Sequence, residues 1–435
     1  MHAIPTRAGA RLLPALLPGI ALLLPAAPAA AGFRGELGAE GWQFFAEGTR
    51  GQDDTVTSVR LRPEAWHERG DDRYALILFA RHDSADPERS HADIREASWL
   101  RHGSFGADAG WDLRAGIRQV FWGVTEGMHL VDIVNQTDSV ESLDGEQKLG
   151  QPMLNLSLEN GAHTLDVYAL FGARERTFAG RDGRLRLPLP VDGDAAEFES
   201  SNGRDRVDGA LRYQYGDHGL QLGLSLFGGS GREPELRPVV DPAQLVFSGP
   251  VPVAFLPGYT PHFVPFYPVI LQAGLDAQYT AGDWLWKLET IERLGQQDAY
   301  YAADAGFEYT QVGVFGSRID VGWLAEYLYD ERGAAATQPF EHDILVGARI
   351  AFNDPASSEL LASLIADENS GERLWSLEGS RRFGDALKLS LEARAFAGMP
   401  APQDPFAFLF APDTTHKLRP LADDDFLRLE LTWFF

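Results

Sequence analysis

The chain contains no cysteine. That excludes disulfide scaffolds, thiol nucleophiles, iron–sulfur clusters and Cys-ligated zinc. Lysine is scarce, with Lys148, Lys287, Lys388 and Lys417 the four among 38 basic residues. Basic residues as a group are outnumbered by 63 Asp and Glu, for a net charge of −25. A chain this acidic lacks the basic footprint that nucleic-acid phosphates require. Long apolar runs are also missing after residue 31; no segment approaches the ~20 residues of a spanning helix. Gly-x-Ser-x-Gly does not occur, and no Ser/His/Asp set is marked locally. No catalytic residue is therefore assigned, and the expectation is a non-enzyme. The eleven His show no His-x-x-x-His spacing, so neither metal nor cofactor is expected.

Charged residues at 23% and hydrophobic ones at 44% fit neither a disordered acidic tail nor a helical membrane protein. The bias to Arg over Lys favours fixed fork-shaped anion contacts, although a GC-rich genome produces the same bias.

Residues 1–31 read as a secretory signal. Arg7 and Arg11 supply the positive start, Leu12 to Leu24 the apolar stretch, and Ala29-x-Ala31 the small-residue cleavage site. Pro14 and Pro18 argue against a retained membrane helix. Removal of this segment, with its two Arg and no acidic residue, takes the charge from −25 to −27.

The remainder, 32–435, alternates apolar and polar residues over segments of about ten, the pattern of a transmembrane β-barrel. Leu387, Leu389, Leu391, Ala393 and Ala395 share one face; Lys388, Ser390, Glu392 and Arg394 share the other. Trp284, Trp286 and Leu288 alternate with Lys287 and Glu289. At the end of the chain Leu427, Leu429, Leu431, Trp433 and Phe435 form one face. A terminal aromatic that ends such a strand resembles the signal read by the outer-membrane barrel assembly machinery.

The pattern predicts strands at 33–45, 55–66, 73–82, 92–100, 110–122, 152–158, 163–172, 206–216, 219–229, 268–280, 283–293, 299–314, 318–329, 341–352, 357–367, 373–382, 386–396 and 425–435. Eighteen is an even number, as bacterial barrels have. The count is sixteen if the weaker segments 92–100 and 357–367 are not strands. With both termini periplasmic, the long connections 123–151, 173–205, 230–267 and 397–424 all fall outside. Short turns such as 159–162, 217–218 and 281–282 fall inside.

The third outer connection, 123–151, carries Glu126, Asp132, Asp138, Glu141, Asp144 and Glu146 against Lys148. Its Val, Ile and Leu residues fit a loop folded into the lumen. Parity places Arg60, Arg62, Arg114, Arg118, Arg212, Arg394 and Arg428 on the lumen face. An acidic loop across from a basic wall would set a transverse field that screens solutes. The plainer alternative is that each Arg pairs with a neighbouring lumen acid such as Glu392 or Glu430. The Pro- and aromatic-rich stretch 230–267 cannot be a central strand and reads as a rigid cap over the mouth. Asp423 to Asp425 reads as a solvated acidic loop.

Two sets of segments carry a family resemblance. Ile94 to Leu100 (Ile-Arg-Glu-Ala-Ser-Trp-Leu), Leu113 to Gly123 (Leu-Arg-Ala-Gly-Ile-Arg-Gln-Val-Phe-Trp-Gly) and Val131 to Asn135 (Val-Asp-Ile-Val-Asn) resemble a pattern shared by alginate-export-like and porin-like proteobacterial barrels. Leu275 to Tyr279, Trp284 to Glu289, Gly306 to Thr310, Glu326 to Asp330 and Arg381-Arg382 are similar to a narrower, poorly characterised family of such barrels. The resemblance implies a passive or selective pore, with Arg118 inward and Trp122 closing the fifth strand at the outer rim. It does not imply alginate, which would favour a strongly basic lumen.

The sequence therefore predicts an all-β, up-and-down antiparallel outer-membrane barrel of a Gram-negative bacterium. It would pass small hydrophilic solutes. Arg114, Arg118, Glu126, Asp132, Asp138, Arg212 and Arg394 are the expected pore-lining residues. Outer-membrane lipid, lipopolysaccharide and the assembly machinery are the expected partners, without nucleic acid. The alternatives are a barrel packed shut that binds at its surface, and, further off, a rim enzyme.

Overall fold

The computed structural model of the chain describes residues 30–106 and 108–435; apart from Ala30 and Ala31, the leader segment lies outside them. In chain order the strands are β1 (Ala31–Phe44), β2 (Thr55–Arg69), β3 (Asp72–Asp83), β4 (Ala92–Ser104), β5 (Ala109–Arg118), β6 (Gln151–Asn160), β7 (His163–Phe171), β8 (Glu197–Phe198), β9 (Val207–Asp217), β10 (Leu220–Ser230), β11 (Glu235–Val239) and β12 (Leu245–Ser248). They continue as β13 (Val251–Phe255), β14 (His262–Tyr267), β15 (Val269–Ala281), β16 (Trp284–Leu294), β17 (Tyr300–Gln311), β18 (Asp320–Asp330), β19 (His342–Ala351), β20 (Glu359–Asp367), β21 (Arg373–Phe383), β22 (Leu387–Ala397) and β23 (Phe426–Phe434). One short helix, α1 (Pro405–Phe410), lies in the last outer connection.

Eighteen strands form one sheet: β1 to β7, β9, β10 and β15 to β23. Each pairs antiparallel with its sequence neighbour in that set, and β1 pairs with both β2 and β23. The sheet is therefore a closed barrel with no free edge, which satisfies every ladder group that would otherwise meet lipid. The closing register runs from Glu36 opposite Phe434 to Phe44 opposite Phe426. At the seam Phe435 exchanges backbone hydrogen bonds of 2.8 and 3.0 Å with Gly35 and lies against Phe33 and Trp433.

Period two decides the faces. Leu37, Leu61, Leu154, Val167, Leu224, Val346 and Leu431 point outward and are exposed, as a lipid-facing belt requires. Trp284, Trp286, Phe307 and Tyr309 cluster at the inner end of β16 and β17. The inner turns are tight. His218 and Gly219 both have positive φ, 47° and 82°, as a two-residue hairpin turn matched to strand twist demands.

Both weak segments are strands: β4 and β20 each pair on both sides. The fifth strand is shorter than its pattern. It ends at Arg118, not residue 122. Trp122 is consequently not a rim residue; it is buried inside the lumen, 4% exposed, against Tyr168. Past the ladder Gln119, Val120, Phe121 and Trp122 alternate in exposure, though not in polarity, because the loop also has one face against the wall.

The connection between β10 and β15 carries its own small sheets. β11, β14 and β8 form one, β12 and β13 the other. Phe255 meets Tyr259 and also Phe406 and Phe410 of α1, so two outer connections are locked together by aromatic contacts. Asp424 and Asp425 are not a solvated cluster. Asp424 binds Arg184 at 2.6 Å and Asp425 accepts the Phe396 amide at 2.7 Å.

Candidate functional site

Residues 119–150 leave the wall after β5 and fold into the lumen. Asn135 ties the loop's two stems together. Its Nδ2 donates to the carbonyls of Arg118 and Leu149, both at 2.8 Å, and its Oδ1 accepts from the Val120 amide at 2.8 Å. Asn135 is 1% exposed, so each bond replaces water that cannot reach it. Val131, Ile133 and Val134 join Trp122, Met153, Tyr168, Leu170, Phe227, Ile270 and Ile291 in one buried cluster. Met128 joins Leu324, Leu328 and Leu345 in a second. The apolar residues of the loop thus pack on the inner wall.

The wall under the loop is acidic. Glu289 on β16 accepts the amides of Val124, Thr125 and Val131 at 2.6, 3.0 and 3.2 Å. Glu326 on β18 accepts those of Glu126 and Gly127, and Asp304 on β17 accepts that of Met128. Three wall carboxylates therefore hold six backbone N–H groups of the loop. This anchor escaped the sequence reading, because the partners are backbone groups. The only available signal was the presence of three lumen-parity acids on consecutive strands.

The loop's own acids face basic partners. Asp138, fully buried, pairs with Arg95 and accepts from Thr177 Oγ1 at 2.7 Å. Asp132 lies 3.1 Å from Lys148. Glu141 binds Arg81 and His91 at 2.8 and 2.9 Å; burial alone would raise its pKa, but His91 and two arginines bring it down to about 2. Glu126 bridges Lys287 and Arg349. Asp144 meets Arg394 at 3.1 Å. Among the described residues Glu146 makes no ion pair. Partial desolvation, with Asp144, Glu378 and Glu126 nearby, raises its pKa to about 7.

The lumen arginines are mostly paired with wall acids. Arg60 binds Glu36 and Glu430, and Arg428 binds Glu40, Glu392 and Glu430. Arg114 binds Asp112 at 2.7 Å and Arg212 binds Asp276 at 2.9 Å. Arg394 binds Glu378 and Glu392 besides Asp144. Among the described residues Arg118 has a single side-chain hydrogen bond, 3.3 Å to Asn155. The simple picture of an acidic loop across a free basic wall is replaced by a mesh of ion pairs, with the loop fixed to acids by its backbone.

Three cavities follow one another along the lumen. The outer one, about 480 Å³, is lined by the outer connections, including Arg50, Arg176 and Arg186. The central one, about 430 Å³, lies beside the loop and is lined by Glu126, Asp132, Glu146, Glu378 and Arg394. The inner one, about 350 Å³, is lined by Glu392, Arg428 and Glu430. Ser139, Leu143 and Leu418 border both the outer and the central cavity; Arg349, Leu361 and Glu378 border both the central and the inner one. Of the seven expected lining residues, Glu126, Asp132 and Arg394 border the central cavity. Asp138 is sealed beneath the loop, and Arg114, Arg118 and Arg212 border none of these three cavities.

Among solved structures the chain is similar to a triple mutant of the Rhodopseudomonas blastica porin. The identity is 10% and the TM-score 0.42, over 93% of this chain and 100% of that one. A second mutant of the same porin has 10% identity and a TM-score of 0.41 over the same shares. An engineered protein described for asymmetric conductivity has 11% identity and a TM-score of 0.41, again over 93% of this chain and 100% of that one. No protein-family model matches the chain, and no curated protein does. The barrel rests on its own strand pairing, independently of these likenesses.

Proposed function

We propose that the chain is a porin-like channel of a Gram-negative outer membrane, through which small hydrophilic solutes diffuse past an inward third loop. The observation that supports this reading is the series of three lumen cavities bordered by shared residues. The loop narrows the lumen at the central cavity. There Glu126, Asp132 and Arg394, joined by Glu146 and Glu378, would set charge selectivity. Arg114, Arg118, Arg212 and Asp138 would act on selectivity through the field of the wall and the seating of the loop. The role assigned to each is electrostatic, without chemistry or cofactor. The C-terminal strand, with Phe435 on the seam, would serve as the signal to the assembly machinery, and the apolar belt would meet lipid and lipopolysaccharide.

A second reading has one observation in its favour. The extensive pairing of lumen arginines with wall acids is what a barrel packed shut around its own charges would have. Liposome swelling separates the two. Vesicles carrying the folded protein are diluted into isotonic arabinose, glucose, sucrose and raffinose. A channel gives swelling rates that fall with sugar size. Folded, heat-modifiable protein with no swelling in any sugar favours the closed barrel.

A further inference from the structure

At the outer mouth several arginines lack acids. Arg50, Arg176 and Arg186 all border the outer cavity, and among the described residues none has a carboxylate within ion-pair distance, while Arg60, Arg81, Arg394 and Arg428 each have at least two. Arg50 donates to the Pro188 carbonyl. Arg176 donates to the Arg232 carbonyl at 3.0 Å and, more weakly, to Gln136 Oε1 at 3.5 Å. Arg186 stands apart: its Nε and Nη1 are buried and have no acceptor. Burial, with Arg50 close by, lowers its pKa to about 10.

The acids on the same cavity do not answer these cations. Asp424 is taken by Arg184, and Asp413 by His416 and Arg419. Asp423 has no ion pair among the described residues, so there one unpaired carboxylate stands against the three arginines. A half-buried guanidinium with two nitrogens shielded from water and without an acceptor carries a desolvation cost, and an incoming anion would relieve it. The rest of the lining mixes polar residues such as Gln52, Thr337, Gln403 and Lys417 with an apolar wall. Phe178, Leu187, Leu236, Phe263 and Phe408 supply rings and branched chains, with Phe263 edge-on to Phe408 at 6.0 Å. About 480 Å³ suits one small molecule.

We infer that the outer vestibule is a capture site for small organic carboxylates with an apolar body, gripped at Arg186 and seated on the Phe178–Phe263–Phe408 wall. The inference rests on the channel reading for its purpose, since a captured solute would lie at the entrance of the lumen, but binding is measurable without any conductance. In a protein of net charge −25, this patch would draw in anions that the rest of the surface repels.

Isothermal titration calorimetry on the folded, detergent-solubilised protein tests it, with benzoate, acetate, benzylammonium and glucose as probes. Benzoate is expected to bind, acetate at least tenfold more weakly, and benzylammonium and glucose not measurably. Arg186→Gln should weaken benzoate tenfold or more, with Arg186→Lys between it and the parent. Arg50→Gln provides a second variant should Arg186→Gln fail to show the heat-modifiable shift of a folded barrel; it should weaken benzoate severalfold. Equal binding of acetate and benzoate would overturn the apolar seat. No benzoate binding, or binding unmoved by these variants, would overturn the site. Benzoate binding by a protein that swells no liposomes would leave the site standing and refute the channel alone.

Discussion

Glu289 and Asp304 stand directly opposite each other on β16 and β17, both side chains wholly out of solvent, and both accept backbone N–H groups from the inward loop. Like charges directly across a sheet repel. Here the loop supplies donors to both. The wall needs the loop to satisfy its acids, and the loop needs the wall to satisfy its amides.

Glu289→Ala should therefore free the loop and spare the barrel. It removes one acceptor and leaves the amides of Val124, Thr125 and Val131 unpaired, at a cost of about 2–4 kcal/mol. Limited proteolysis should cut within 123–135 in the variant and not in the parent, with the heat-modifiable band retained. Equal resistance in both would show that apolar packing holds the loop without the acid.

Asn135→Ala acts at the stems. It strands the Val120 amide and removes donors from the Arg118 and Leu149 carbonyls. A loss of about 2–3 kcal/mol is expected, seen as a lower urea midpoint for unfolding in micelles. Asn135→Asp should be nearly as damaging, because it keeps the acceptor and loses both donations. A midpoint within error of the parent would contradict the tie.

Arg394 is the cation that joins Asp144 of the loop to Glu378 and Glu392 of the wall. Arg394→Ala leaves Asp144 and Glu378 on the central cavity, and Glu392 on the inner one, without it. The ratio of potassium to chloride permeability should rise severalfold. An unchanged reversal potential would remove Arg394 from the selectivity of the lumen.

Glu146 gives the pH dependence. Its pKa is raised to about 7 by desolvation and acidic neighbours. A larger fraction of it is therefore protonated at pH 6 than at pH 8, so the central cavity gains negative charge as pH rises. Cation preference should increase across that window and Glu146→Gln should abolish the step. A step that persists in the variant would assign it to another group.

The barrel was legible in the sequence because period two survives wherever one face meets lipid and the other does not. The segment that became β20 is weak because it departs from this: Leu360 and Leu364 lie on one side and Leu361 and Ile365 on the other, so both faces are apolar. The end of β5 was not legible. Val120, Phe121 and Trp122 are the β-branched and aromatic residues a strand favours, while the chain has already turned inward after Arg118. The inward loop was legible from its mixture of acids and branched apolar residues, but its anchorage was not. Parity placed Glu289, Asp304 and Glu326 on the lumen face without indicating that their partners are amides. The free arginines of the vestibule were equally hidden. Arg50 and Arg186 lie far apart in sequence, and pairing depends on which loops meet at the mouth.

Single-channel recording in a planar bilayer tests the central claim most directly, with reversal potential under a potassium chloride gradient. The account predicts discrete, stable conductance steps, enlarged in Glu289→Ala and shifted in selectivity in Arg394→Ala. Folded protein that inserts and gives no steps in either the parent or Glu289→Ala would contradict a lumen open past the third loop.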